Sequence, residues 1–178
     1  MNDSLVLSQN RLYLVNGPRA ILPALYELAA RLAVRGALRV MDGGNTFNTY
    51  PVAAALRRLG GSPYPALRRV TLARAFTCFQ MHALVCAPEP PEQPVLVLDF
   101  LATFADEAVP VGERMRLFGA CLEGLRRMAT RQPVLVWVAQ HTGLGDLWGP
   151  LLARLQAAAD VSWAWSAPPP DVRQLELF

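Results

Sequence analysis

Two stretches of this chain are apolar at almost every position: Val95-Leu96-Val97-Leu98, which ends on Asp99, and Pro133 to Gln140. A strand with one wet face alternates apolar and polar residues. An unbroken apolar run is the mark of a strand covered on both faces. Covering both faces takes two layers of helix, and the sequence between the runs supplies helical patterns. Gly112 to Thr130 is the longest, with Met115, Phe118, Leu122, Leu125 and Met128 at the spacing of one buried helix face.

The other segments repeat this alternation. Arg11 to Asn16 reads as a strand ending in a Gly17-Pro18 turn. Pro23 to Arg35 reads as a helix with its proline in the first turn, where a missing N–H is harmless, and Gly36 after its end. Ala37 to Met41 is a second strand, followed by the loop Asp42-Gly43-Gly44-Asn45. Asn48 to Leu59 is a helix, Leu67 to Ala73 a strand, Phe76 to Val85 a short helix, Leu147 to Ala159 the last helix and Val161 to Trp165 the last strand. The fold class implied is α/β, a mainly parallel central sheet with helices on both faces. Ligands of such folds sit at the C-terminal ends of the strands. Here those ends carry Asn16-Gly17, Asp42-Gly43-Gly44, Ala75-Phe76, Asp99 and Gln140.

The chain has 178 residues, the size of one domain. It is 53% hydrophobic, yet no uncharged apolar stretch is long enough to span a bilayer. Met1-Asn2-Asp3-Ser4 does not begin a secretory signal, so a cytoplasmic location is expected. Cys78, Cys86 and Cys121 have no metal-ligand spacing and read as reduced, core-packed thiols. His82 and His141 lack ligand partners at zinc spacing, so no metal is expected. No G-x-S-x-G element supports a hydrolase. Trp137, Trp148, Trp163 and Trp165 lie in or beside apolar segments, where packing is their first reading.

All seventeen basic residues are arginine, and the formal net charge is +3. A charge this modest permits nucleic-acid binding without demanding it. The pairs Arg57-Arg58, Arg68-Arg69 and Arg126-Arg127, with Arg131, are candidate phosphate contacts. A solvated face is the alternative, because acidic residues number fourteen.

The first strand, turn and helix stand where a phosphate-binding loop would. That loop needs glycines for a backbone cradle, a lysine for the β/γ-phosphates and a hydroxyl for Mg²⁺. The register Gly17-Pro18-Arg19-Ala20-Ile21-Leu22-Pro23-Ala24 keeps the first glycine, with Leu22, Pro23 and Ala24 at the second glycine, lysine and hydroxyl places. Arg19 is a candidate anion contact at the helix start, or a solvated loop residue.

Three further blocks follow in order: Val40-Met41-Asp42-Gly43-Gly44-Asn45-Thr46-Phe47, Leu72-Ala73-Arg74-Ala75-Phe76-Thr77 and Val95 to Phe104. Together with the first register, from about Arg11 to Ser166, they resemble the RecA/RadA recombinase ATPase core, most specifically in Ala73-Arg74-Ala75-Phe76. The resemblance implies a vestigial nucleotide site of Gly17, Arg19, Asp42, Asp99 and Gln140. Asp99 takes the place of the aspartate ending the Walker B strand, and Gln140 that of a nucleotide-sensing glutamine. Gly44 stands where the family places the acid that activates water. With the lysine, hydroxyl and acid replaced, phosphoryl transfer is not expected and no cofactor is implied. Asp42 and Asp99 remain open between Mg²⁺ ligands and carboxylates bound to loop N–H groups. The likeness is greatest to the ImuA-type accessory proteins of bacterial mutagenic polymerase complexes.

The chain divides into a body, residues 1–166, and a tail, residues 167–178. Three prolines, Pro168-Pro169-Pro170, favour an extended spacer before Gln174-Leu175-Glu176-Leu177-Phe178. Gln174, Leu175, Leu177 and Phe178 resemble the peptide with which bacterial proteins dock on the β sliding clamp of the replisome. A C-terminal strand or a cap on the body is the other reading. Burying the three apolar side chains gains about 5–9 kcal/mol, against about 1–2 kcal/mol per residue ordered. That balance implies a weak, exchangeable tether. The function implied is a non-catalytic accessory or scaffold protein of DNA repair or translesion synthesis. Its partners would be the β clamp and a translesion polymerase or RecA, with DNA contacted weakly or indirectly. A divergent DNA-dependent ATPase and a DNA-binding module built on the arginine pairs are the alternatives.

Overall fold

The structure, a computed structural model, describes residues 7, 11–88, 92–139 and 145–165. Six strands form one sheet: β1 (Leu12–Asn16), β2 (Leu38–Asp42), β3 (Val70–Arg74), β4 (Val95–Leu98), β5 (Val134–Val138) and β6 (Val161–Ala164). Their order is β3-β2-β4-β5-β1-β6, and every neighbouring pair is parallel. The two unbroken apolar runs, β4 and β5, are adjacent in the middle, and all nine of their residues are buried.

The described residues also form six α-helices: α1 (Leu22–Arg35), α2 (Thr49–Arg58), α3 (Pro63–Leu67), α4 (Cys78–Cys86), α5 (Val111–Ala129) and α6 (Trp148–Ala158). Side chains of alternate strand positions divide the core in two. On one face Tyr13, Val15, Val40, Leu96, Leu98 and Trp137 pack against α1, α2 and α3. On the other, Leu14, Met41, Val97 and Val136 pack against α4, α5 and α6. Period-two alternation within each strand therefore feeds both helical layers at once. Phe100, Phe104 and Phe118 form an edge-on aromatic cluster under α5, with ring centroids 5.3–5.9 Å apart.

Local signals explain most boundaries. The Asn48 side chain accepts from the Tyr50 N–H at 2.9 Å and caps α2. Thr77 caps α4 by accepting from Gln80 N. Both residues have extended backbone and a side-chain oxygen placed for an unpaired helix donor. Where Leu67 to Ala73 was expected to be strand, the chain forms α3 through Leu67, and β3 begins at Val70. Pro63 and Pro65 fall in the first turn of α3, where proline's fixed φ favours a helical start.

β6 is an edge strand. Trp163 lies flat on Tyr13 of β1, with ring centroids 5.7 Å apart and planes 6° from parallel. No helix among the described residues is long and apolar enough to cross a membrane.

Candidate functional site: the C-terminal edge of the sheet

All strands point one way, so their C-terminal ends gather Gly17, Arg19, Asp42, Gly44, Arg74 and Asp99 at one edge. Gln140, one residue past the last described position of the β5 segment, lies outside the described residues, as do Gln174, Leu175, Leu177 and Phe178.

The turn after β1 directs several of its donors to the backbone. Gly17 N–H donates to Val138 O at 3.2 Å, extending the β1–β5 ladder. Pro18 has no N–H. Ile21 N–H donates to Pro18 O at 3.1 Å, and Leu22 N–H to Arg19 O. The turn is thus a tight 3₁₀ segment, Arg19–Ile21, running into α1. A phosphate cradle needs successive N–H groups left free to converge on an anion. Here those of residues 17, 21 and 22 serve the backbone. Gly17 is also enclosed from outside. Its carbonyl accepts from Trp137 Nε1 at 3.2 Å. A Cβ at position 17 would stand 2.8 Å from Trp165 Cβ and 2.9 Å from Trp165 O. Only glycine fits beneath that tryptophan.

Asp99 follows β4 in the left-handed region, φ 50° and ψ 50°, and is fully buried. Aspartate tolerates this backbone better than most residues. Its Oδ1 accepts from Ala139 N–H at 3.3 Å, and its Oδ2 lies 3.9 Å from Arg19 Nη2. On its third side stands Gly44, where an added Cβ would lie 2.6 Å from Asp99 Cβ and overlap the carboxylate. Gly43 is as close: a Cβ there would meet Asp99 O at 2.8 Å. The loop after β2 therefore lies directly on Asp99, and two adjacent glycines make that approach possible.

Asp42 is the second buried carboxylate of this edge. Its Oδ1 accepts from Thr46 N–H at 2.9 Å and Thr46 Oγ1 at 3.2 Å, and its Oδ2 from Phe47 N–H at 2.8 Å. Arg74 Nε lies 3.5 Å from the same Oδ2, and Arg74 Nη2 donates to Phe47 O at 3.2 Å. Ala75 N–H closes the unit on Asp42 O at 3.0 Å. The Ala73-Arg74-Ala75-Phe76 block thus acts on the Asp42 loop through Arg74 and Ala75. Phe76 itself is 65% exposed. Tyr26 OH donates to Thr46 O at 2.5 Å. Burial, reinforced by the Asp42 charge, pushes that phenol above its usual range.

Two anchors of this edge had no signal in the sequence. Trp165 closes over Gly17 only because β6 pairs with β1. Arg19 and Asp99 meet only because β1 and β4 are separated by a single strand. Among the described residues, no group of three His, Cys, Asp or Glu is arranged to hold a metal ion.

The arginine pairs lie elsewhere. Arg57 and Arg58 occupy the last turn of α2, and Arg126 and Arg127 the last turn of α5. Arg68 and Arg69 follow α3, and Arg69 O accepts from Leu38 N–H at the start of β2. α3 and α5 lead into the beginnings of β3 and β5, and α2 leads into α3, so all three pairs lie toward the N-terminal rim of the sheet. Arg11, Arg35 and Arg131 join them there. The carboxylates described in the turns of this rim are Glu92, 3.4 Å from Arg131, and Asp160, whose Oδ2 accepts from Leu12 N–H.

No protein-family model matches the chain, and no curated protein matches it.

Proposed function

We propose that this protein is a non-catalytic, RecA-like accessory or scaffold protein of DNA repair or translesion synthesis, brought to the β sliding clamp by Gln174-Leu175-Glu176-Leu177-Phe178. The observation that supports a non-catalytic body is the enclosure of Asp99. Its carboxylate meets the Ala139 N–H, the Arg19 guanidinium and the Gly44 backbone, in the places where the resemblance would put metal and attacking water. Phosphoryl transfer depends on positioned charge around the transferred group. Here the charge nearest Asp99 is a cation supplied by the protein itself.

The recruiting element is the tail, supported by its four matching residues and by the proline spacer before them. The partners proposed are the β clamp and, on the body, a translesion polymerase or RecA. The site of action is the replisome in the cytoplasm.

Co-elution with purified β clamp tests recruitment. Deleting residues 174–178 removes co-elution while leaving the thermal melt of the body unchanged; clamp binding that survives the deletion refutes the reading. Turnover of ATP with Mg²⁺ and DNA tests the body. Activity abolished by Asp99→Ala would replace the scaffold reading with a divergent ATPase.

A further inference from the structure

We infer that the N-terminal rim of the sheet is a docking surface for the phosphodiester backbone of duplex DNA. Three observations carry this, and none involves the tail. The first is segregation of charge. The whole chain is only +3, yet Arg57, Arg58, Arg68, Arg69, Arg126 and Arg127 all lie toward one rim, where the neighbouring carboxylates are Glu27, paired with Arg58, Glu123, one turn before Arg126 and Arg127, and Glu92 and Asp160 in the turns. The opposite edge holds the buried carboxylates Asp42 and Asp99 and the exposed Asp106, Glu107 and Asp146. Distributed evenly, the arginines would create little field. Gathered at one end, they produce a pole that attracts polyanions.

Helix capping accounts for part of this arrangement. Cations favour helix C-termini, and that field falls off within a turn. It explains one arginine at the end of α2 and one at the end of α5. It also accounts for Arg69, whose Nη1 donates to Val34 O at 3.0 Å at the end of α1. It does not explain a second arginine at the ends of α2 and α5, nor Arg68. The partners of Arg58 and Arg68 are weak and exchangeable. Arg58 pairs with Glu27 at 2.9 Å, with both side chains exposed, and Arg68 lies over the Tyr64 ring at 5.7 Å. Surface contacts of this kind contribute little and yield readily to phosphate.

The second observation is breadth. Arg57, Arg58, Arg68 and Arg69 belong to the α1–α3 layer, and Arg126 and Arg127 to the α5 layer on the other face of the sheet. The cations therefore span all three layers, and six strands set about 24 Å of rim at roughly 4.8 Å per strand. A single strand runs in a narrow groove. A surface this wide fits a duplex, which offers one charge per about 1.7 Å of axis.

The third is the placement of exposed aromatics. Single-strand sites interleave cations with rings that stack on bases. Tyr50, Phe76, Phe79 and Trp165 are exposed at the opposite end of the strands. On the arginine rim the exposed ring is Tyr64, which Arg68 covers. Phosphate contact without base stacking is what the rim offers, so binding is independent of sequence.

Fluorescence anisotropy with a labelled duplex of about 30 base pairs, full-length protein and no clamp present tests this separately from recruitment. Wild-type protein binds at about 50 mM salt and loses affinity steeply by about 200 mM. Arg57→Gln/Arg68→Gln on one face and Arg126→Gln/Arg127→Gln on the other each weaken binding about tenfold and lower the salt slope by about 2. Arg116→Gln/Arg154→Gln, an equal loss of charge away from the rim, changes affinity less than about twofold. Circular dichroism melts confirm that each variant is folded. The inference is overturned if wild-type protein fails to bind at low salt, or if the off-rim pair matters as much as the rim pairs. Tighter binding to single-stranded DNA of the same length also overturns it. So does displacement of the duplex by polyglutamate at equal charge, the behaviour of a site for acidic protein.

Discussion

Arg19 reaches from the turn after β1 to within 3.9 Å of the Asp99 carboxylate at the end of β4, eighty positions along the chain. One partner is 63% exposed and the other fully buried, so the two ends of this contact differ in weight. Arg19→Ala removes a solvated partner and costs less than about 1 kcal/mol. Asp99→Ala removes the acceptor of Ala139 N–H and places a Cβ residue without a side-chain oxygen in the left-handed region. Its cost is about 1–3 kcal/mol, and Asp99→Asn, which keeps an acceptor and tolerates that backbone, costs less. Urea denaturation of the three variants gives the order directly.

Gly44→Glu would place an acid where the resemblance to recombinase ATPases puts the one that activates water. It does not produce turnover, because the new Cβ meets Asp99 before any carboxylate can face a ligand. Gly44→Ala already destabilises by about 1–3 kcal/mol through overpacking. A melt of Gly44→Ala that equals wild type would show that the loop moves freely away from Asp99.

Asp42→Ala is the most damaging change at this edge. Thr46 N–H, Thr46 Oγ1 and Phe47 N–H lose their acceptor, and Arg74 loses its counter-charge. Unmet buried donors cost about 1–3 kcal/mol each, and solvent admitted by the freed loop limits the sum to about 3 kcal/mol. Midpoint shifts in urea measure it.

The thiols report on packing between α4 and α5. Burial, with Cys86 and Cys78 nearby, pushes the Cys121 thiol up to about 12, and burial also raises Cys78. Cys86 is only half-buried. A chromogenic disulfide reagent at pH 8 therefore modifies Cys86 first in the folded protein and all three thiols once urea is added. The raised Cys121 value also sets a pH dependence. Well below pH 9 the thiol is neutral in both states and contributes nothing to the slope. Above pH 9 the unfolded chain ionises and the folded one does not, so stability falls as pH rises from about 9 to about 12. Cys121→Ala flattens this part of the profile, and melts across that range show whether it does.

Gly17→Ala tests the seam between β1 and β6. Its Cβ would stand 2.8 Å from Trp165 Cβ and 2.9 Å from the Trp165 carbonyl, which is backbone and cannot simply rotate aside. Trp165 N–H donates to Asn16 O at 2.7 Å, so the displacement also strains the last rung of the ladder. Trp165 fluorescence shifts to the red, and hydrogen exchange at 161–165 accelerates.

Strand and helix positions were legible in the sequence because both layers of core draw on the same local patterns. The runs at Val95 and Val134 announced the two central strands, and Pro23, Gly36, Asn48 and Phe76 fell within a residue or two of helix ends. Pro63-Tyr64-Pro65 hid α3, since paired prolines suit a turn as well as a helical first turn. The sheet order β3-β2-β4-β5-β1-β6 left no local trace, and the site's detail depends on it. That order brings Arg19 to Asp99, Trp165 over Gly17 and the three arginine pairs to one rim. Gly43-Gly44 showed only as part of the loop after β2, while the backbone it approaches lies more than fifty residues away.

The shared direction of the six strands also decides where the molecule can be labelled. The chain comes into β1 at the arginine rim and leaves β6 at the far edge, beside Gly17. A charged label at Arg11 would stand next to the arginines, and one at Trp165 would stand over Gly17. Probes for distance or attachment measurements belong instead in the exposed turn Asp106–Ala108, where Ala108 N–H donates back to Asp106 Oδ1. A fluorophore or surface linkage at Glu107 leaves the arginine rim available.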